Sequence, residues 1–454
     1  MGKITILLKQ HTPMLHFQAD EPGCTLRATE VKPKLDRFIV EQLGGRSFVP
    51  DDYWIDTSKK GDTTYFALDY KLKFQAKGNN NRQRVKSYPT FFGNMGDASK
   101  ERKELIYYPE GISMIIFSLN TKLQEIITQH INEFFAFHNF GTRQSKGFGS
   151  FYIDERDKLY YKPIESIPNN PRYVILSSFS TEDTNDRSLF NYIDTFYKSI
   201  RSGINICKTI CFKNSYCKER YEMNDVNICN TRSNCDFKKN GSIYYCKSLL
   251  FRYINSKNKQ WDKKTIKQLI NGEITRQEII ENQLYLYRDL LGLATDVQYG
   301  KETIKKEYRL DNSVQRFKSP IFIKPIIRDN RYIVYVGYIQ LEAYENILNK
   351  EFKIKISQKK TRDNRPKEDI LFNISTPSDF SIKDYFNYLL KKDNLGKYKF
   401  EIEDVSRNKT IYFRKEQLKD AKPEVNPKYK DGNKEDVVYK NLKHIYKELR
   451  KNYK

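Results

Sequence analysis

The chain has 454 residues, enough for two or three domains with cores of their own. Its 81 Lys and Arg outnumber 57 Asp and Glu for a formal charge of +24, and aromatic residues make up 14% of the total, a pairing that favours a polyanion with stackable bases, single-stranded RNA above all. It contains no run of 18 apolar residues and opens without a signal-peptide core, so a membrane partner is not expected, and a cytoplasmic chain with reduced cysteines is.

The apolar, β-branched run Ile4 to Leu8 predicts a first strand. Pro13 breaks the segment that follows. Val31, Leu35, Phe38, Ile39 and Leu43 share one helical face, with Pro33 tolerated in a first turn and Gly44-Gly45 as the stop. The entry to this helix carries Arg27, Lys32, Lys34 and Arg37, which suits either a solvated face or a cationic helix start turned toward phosphates. Phe66, Leu68, Tyr70, Leu72 and Phe74 alternate as a strand with one buried face. Residues 75–111 then form a long insertion in which Arg82, Arg84 and Lys86 interleave with Tyr88, Phe91 and Phe92. Ile112 to Leu119 predicts a third strand. Asn120 caps a helix whose face is Leu123, Ile126, Ile127, Ile131 and Phe134.

That helix runs into His138-Asn139-Phe140-Gly141-Thr142-Arg143-Gln144-Ser145-Lys146-Gly147-Phe148-Gly149-Ser150, and an alternating run from Phe148 to Ile153 leaves it. Gly141, Gly147 and Gly149 permit positive φ and close approach of the backbone to a ligand. Freed N–H groups with Arg143, Ser145 and Lys146 beside them suit phosphate oxygens. The stretch lacks the Gly-Lys-Ser/Thr ending of an NTPase loop and sits after a helix rather than after a strand. The plain alternative is a tight, polar helix-to-strand turn. Strand, helix, strand, strand, helix, strand is the ferredoxin-like βαββαβ order. The expected fold is thus α+β, with tandem ferredoxin-like (RRM-like, βαββαβ) domains carrying large insertions.

In the second half, Arg172 to Phe179 predicts a strand, and Leu189, Ile193, Phe196, Tyr197 and Ile200 a helical stripe. Six of the seven cysteines, among them Cys207, Cys211, Cys229 and Cys235, fall between 204 and 247. Clustered cysteines invite a structural zinc site, but the spacing has no Cys-x2-Cys and no nearby His, so free thiols and no cofactor are the first expectation. Helical patterns follow over 261–292 and from Phe380 to Leu390, with a hairpin between them around Asp329-Asn330 and a last strand from Thr410 to Phe413. The expected domains are 1–165, a first ferredoxin-like domain with insertion 75–111; 166–415, a second, heavily inserted one with its Cys-rich and helical insertion near 204–315; and 416–454, a basic polar tail.

Three segments resemble the RAMP superfamily of CRISPR effector proteins, most nearly the first subunit of the type III-B (Cmr) module. They are Thr12-Pro13 with the basic entry Leu26 to Leu35, Gly141-x5-Gly147-Phe148-Gly149, and Arg316-Phe317-Lys318-Ser319-Pro320-Ile321. The chain departs from that pattern at Glu30 to Lys32, where such proteins usually carry a Gly. The resemblance implies that the loop and the first-helix entry grip the backbone of a guide RNA (crRNA), and that the 75–111 insertion is a thumb wedged into it. It also implies target RNA and other effector subunits as partners. Guide-processing endonucleases of the superfamily use a His near the first helix. His11 and His16 could fill that place in an alternative, catalytic reading, with no metal required. The favoured expectation is a non-catalytic binding subunit.

Overall fold

A computed structural model of the protein describes residues 2–14, 26–62, 64–78, 81–84, 104–208, 242–292, 296–299, 302–308, 319–340, 348–357, 370–391, 401–404, 409–411 and 434–453. The chain forms two compact units. One comprises Met1–Ile193, Asp289–Phe372 and Lys451–Lys454, the other Asp194–Arg288 and Asn373–Arg450. Helices and antiparallel sheets make up both, an α+β architecture.

The first unit opens with β1 (Gly2–Gln10), α1 (Ala28–Gln42) and β2 (Lys71–Ala76). A short antiparallel pair, β3 (Asn81–Arg84) and β4 (Glu104–Tyr107), is inserted before β5 (Ile112–Ser118), α2 (Thr121–Phe137) and β6 (Phe151–Ile153). The four main strands are ordered β2-β5-β1-β6, all antiparallel, so β1 and β5 are central and α1 and α2 follow β1 and β5. This is the strand order that a βαββαβ chain takes when its first and third strands pair at the centre. β5 alternates strictly between buried and half-buried positions. Its inward Met114 and Ile116, with Ile6 and Leu8 of β1, meet Leu35 and Ile39 of α1 and Ile127 and Ile131 of α2, all fully buried.

Local signals account for most element ends. The Asn120 side chain accepts the Leu123 N–H at 3.0 Å, a cap worth about 1 kcal/mol to α2. α1 starts three residues before the predicted Val31, so Pro33 lies in its second turn and leaves the Thr29 carbonyl without its helical donor. β2 starts at Lys71 rather than Phe66 because its partner β5 ends at Ser118, whose hydroxyl donates to the Asp69 carbonyl at 2.8 Å. Leu68 and Tyr70, which thereby fall in the α1–β2 connection, are still buried. The alternation there reports a buried face whose pairing is one antiparallel bridge, Trp54 to Leu68, with the Asp69 N–H donating to the Tyr53 carbonyl at 2.8 Å and the Ile55 N–H to the Ala67 carbonyl at 3.2 Å.

The first unit continues with β7 (Tyr173–Ser180) and α3 (Asp186–Arg201), the latter shared with the second unit. The second unit next holds β8 (Ile204–Lys208), β9 (Ser242–Cys246), α4 (Leu249–Ser256), α5 (Asp262–Ile270) and α6 (Arg276–Glu281). The chain returns to the first unit with β10 (Asp296–Tyr299), β11 (Glu302–Tyr308), β12 (Ile321–Arg328), β13 (Arg331–Ile339), β14 (Glu351–Ser357) and the start of β15 (Ile370–Ser375). α7 (Ile382–Leu390), β16 (Glu401–Asp404), β17 (Lys409–Ile411) and α8 (Lys434–Lys451) follow. A second sheet of the first unit runs β12-β13-β7, with a hairpin turn at Asp329 and Asn330, both at positive φ as a two-residue turn requires. Its elements β7, α3, β12 and β13 have the order βαββ. Among the described residues no further strand joins that sheet, so a complete second βαββαβ unit is not displayed. In the second unit the sheet order is β17-β16-β9-β8, and the Tyr446 hydroxyl of α8 meets Ser199 Oγ at 2.7 Å. Among the described residues no helix is long and apolar enough to cross a membrane.

Candidate nucleic-acid interface

The glycine-rich stretch connects α2 to β6. Four of its residues lie at positive φ: Gly141 (79°), Arg143 (59°), Gly147 (82°) and Gly149 (64°). Gln144–Lys146 form one 3-10 turn between two left-handed residues. Within that turn the Lys146 N–H donates to the Arg143 carbonyl at 2.8 Å and the Gly147 N–H to the Gln144 carbonyl at 3.2 Å, while the Gly141 N–H at the loop's entry donates to Glu30 Oε1 at 2.7 Å.

The loop is fastened to two distant segments. The Gly149 N–H donates to the Pro13 carbonyl at 3.0 Å, the Phe140 N–H to the Gly149 carbonyl at 3.0 Å, and the His11 N–H to the Ser150 carbonyl at 2.8 Å. The Thr12 hydroxyl donates to the Gly147 carbonyl at 2.7 Å and accepts the Ser150 N–H at 2.9 Å. From below, β12 supplies acceptors. Asn139 Nδ2 donates to the Ile323 and Gln144 carbonyls, both at 2.8 Å, and Ser150 Oγ to the Pro325 carbonyl at 2.7 Å. Lys324 is fully buried and its Nζ donates to the carbonyls of His138 and Phe151 at 2.8 and 2.7 Å; burial holds its pKa well below the ordinary lysine value. An added Cβ at Gly147 would meet Pro325 Cγ at 2.9 Å. Thr12-Pro13 and the glycine loop therefore converge with the strand that begins at Ile321, the last residue of the third resemblance segment, of which Arg316, Phe317 and Lys318 lie outside the described residues.

The predicted site residues divide. Gly141, Arg143 and Ser145 lie on the half-buried outer side of the loop. Gly147, Gly149 and Phe148 lie on its buried side, with Phe148 stacked on Phe190 at 3.9 Å between ring centres, and Lys146 is buried as well. Of the α1 cations, Lys34 meets the loop: its Nζ is 3.0 Å from Glu30 Oε1, 3.4 Å from Gln144 Oε1, and 4.9 Å above the Phe140 ring. Lys32 turns instead to Asp36 and the Leu68 carbonyl, at 2.7 and 2.8 Å, and Arg37 stacks over Phe66. Arg27 is the residue before α1 and is half-buried. Arg82 and Arg84 belong to β3; nothing is described of their side chains, and Lys86 lies outside the described residues. Sequence reasoning missed Glu30, Asn139, Ser150 and Lys324. A lysine flanked by Ile323 and Pro325 inside an apolar strand was a readable sign of a buried, partnered amine.

His11 is 3% exposed. Its Nδ1 accepts the Ile327 N–H at 2.9 Å, so the proton of the neutral ring sits on Nε2, which has no partner among the described residues. Burial, then Lys9, holds its pKa well below 6.5. The recess it lines with Lys9, Tyr152 and Arg328 is too tight to admit a water molecule. A histidine neutral when folded but protonated when unfolded costs stability in acid. The unfolded chain takes up the proton as pH falls below 6.5, so stability is full above that value and is lost below it, down to the depressed folded pKa. We expect urea midpoints to fall between pH 7.5 and 5 and His11→Asn to flatten part of that fall; an unchanged slope in the variant would remove His11 as its source.

His16 lies outside the described residues, as do Cys211, Cys229 and Cys235, while Cys207 lies in β8 with nothing described of its side chain. Among the described residues no group of three His, Cys, Asp or Glu could hold a metal.

Comparison with known proteins follows the same lines. Residues 1–204 match the Cmr1 N-terminal domain and residues 245–423 the Cmr1 C-terminal domain, together most of the chain. The chain belongs to the Cmr1 family. It is a Cmr1-like RAMP protein, as the three motifs implied. Among solved structures it is similar to Cmr1 from Pyrococcus furiosus in the apo form, at 10% identity over 75% of this chain and 88% of that one, with a TM-score of 0.27. It is also similar to a chain of a type III-B Cmr-beta complex bound to cognate target RNA, at 13% identity and a TM-score of 0.23, covering 34% of this chain and 58% of that one. No curated protein matches.

Proposed function

We propose that this Cmr1-family chain is a subunit of a type III-B CRISPR effector and holds the backbone of the guide RNA on the outer side of the glycine loop. The observation that carries the reading is the convergence of Thr12-Pro13, the loop and β12, which fixes a run of left-handed residues beside Lys34. A backbone clamped this firmly is suited to a ligand of fixed geometry, and N–H groups with cations suit phosphate. Arg27, Arg143 and Ser145 join Lys34 and the Gly141 N–H in direct contact. Gly147, Phe148, Gly149 and buried Lys146 hold the loop's shape. Family membership supports the assignment to an effector, and with it a target RNA and neighbouring subunits as partners.

The test is purification of the tagged protein from its host, with sequencing of the RNA and mass spectrometry of the proteins that accompany it. Short RNAs of one repeat-tag-plus-spacer design, with other effector subunits, support the reading. Random cellular RNA, or none, overturns it. We further propose that the chain does not cut RNA. Acid-base cleavage needs a group with a reachable lone pair, whereas His11 spends Nδ1 on Ile327 and is buried. Repeat RNA incubated with the protein in EDTA is expected to stay intact; specific cuts lost in His11→Ala or His16→Ala would establish the endoribonuclease instead.

A further inference from the structure

The first-turn carboxylate of α1 reaches the glycine loop. Glu30 Oε1 accepts the Gly141 N–H at 2.7 Å and the Lys34 ammonium at 3.0 Å. Both groups are what a phosphate oxygen would seek: a backbone N–H at a left-handed glycine and a cation on the facing helix. The site is reachable, with 23% of the Glu30 side chain and 28% of the Lys34 side chain exposed. Lys34 has a second contact to Gln144 Oε1, whose own amide donates to the Gly141 carbonyl at 3.1 Å. The cation and the loop therefore stay in register without Glu30. A carboxylate is the part of this arrangement that departs from a purely cationic grip.

We propose that Gly141 N–H and Lys34 Nζ form a single-phosphate seat that Glu30 occupies in the free chain and yields when a phosphodiester of the RNA arrives. The inference rests on the guide-binding reading and adds to it a self-masked subsite. A bound phosphodiester takes over both contacts, and the Glu30 side chain, which is on the helix surface, swings to solvent. The mask lowers affinity for any polyanion that cannot fill the seat with correct geometry, so its effect is discrimination as well as weakening.

The experiment is fluorescence anisotropy with a labelled single-stranded RNA carrying the host's repeat tag, on the full chain and on Glu30→Gln, Glu125→Gln, Lys34→Ala and Glu30→Gln/Lys34→Ala. Glu125 is exposed on α2 and controls for loss of one negative charge. Melting midpoints confirm that each variant folds. Glu30→Gln should bind about fivefold tighter than the natural chain, because an amide oxygen competes less well than a carboxylate for an N–H and an ammonium. Glu125→Gln should gain less than about twofold, since an exposed charge away from the site is largely screened. In the Lys34→Ala background the Glu30 gain should shrink toward the control. If the natural chain binds but Glu30→Gln binds no tighter than Glu125→Gln, or more weakly, Glu30 is only a brace for the loop: the mask is wrong and the guide-binding reading stands. Binding by Glu30→Gln alone supports the mask strongly. If neither binds at low salt, both readings fall.

Discussion

Gly149→Ala is expected to be the most damaging single substitution in the loop. An added Cβ would sit 1.9 Å from the Phe140 carbonyl oxygen, a backbone atom, at a φ of 64° that side chains disfavour. The same residue donates to Pro13 and accepts from Phe140, so it cannot move without opening the junction of three segments. Left-handed strain and the forced backbone shift together should cost about 3 kcal/mol, which for a unit of this size lowers the melting midpoint by roughly 6–12 °C. Guide-RNA affinity should fall with it, because the N–H groups are no longer held in place. Gly147→Ala meets the side chains of Pro325 and Ile193 at 2.9 and 3.1 Å and should cost less. A Gly149→Ala protein that melts like the parent would mean that the junction is soft, and the argument for a preset phosphate grip would lose its basis.

Lys34→Ala/Arg143→Ala should lose RNA affinity about tenfold or more while keeping its fold, since each charged contact to phosphate is worth roughly 1.5–3 kcal/mol. The diagnostic quantity is the salt dependence. Each single-strand phosphate neutralised contributes about 0.7 to the slope of log affinity against log salt, so losing two contacts should flatten that slope by about 1.4. Lys32→Ala is the comparison. Lys32 is tied to Asp36 and the Leu68 carbonyl and lies 4.1 Å over the Tyr70 ring, so its loss should leave the slope nearly unchanged and lower stability modestly. Equal slopes for the parent and the double variant would place the polyanion elsewhere on the chain.

Much of the first sheet was legible because its signals are local. β5 alternates at every position, α2 carries its Asn120 cap, and the βαββαβ order follows from those elements in series. The glycine loop was legible as a loop and as a candidate grip. Which of its residues face outward was not, since Lys146 and Phe148 are buried by β12 and α3, contributed from far along the chain. The same holds for the helix cations. Four basic residues at the α1 entry read as one set, but the helix turns Lys34 to the loop and sends Lys32 and Arg37 toward Tyr70 and Phe66. His11, with His16, entered only as the alternative, catalytic reading that the resemblance offered; that His11 Nδ1 accepts the Ile327 N–H, from a strand more than 300 residues away, was not legible in the sequence. Pairings of that range leave no periodicity in either partner.

Ultraviolet cross-linking of the bound, labelled repeat-tag RNA, followed by mass spectrometry of the attached peptides, would locate the RNA on the chain. If the glycine loop holds the guide, cross-links fall in peptides that span residues 139–149 and the first turns of α1, and are lost in Lys34→Ala/Arg143→Ala. Cross-links confined to other parts of the chain, such as the basic helix Lys434–Lys451, with none at the glycine loop, would contradict it.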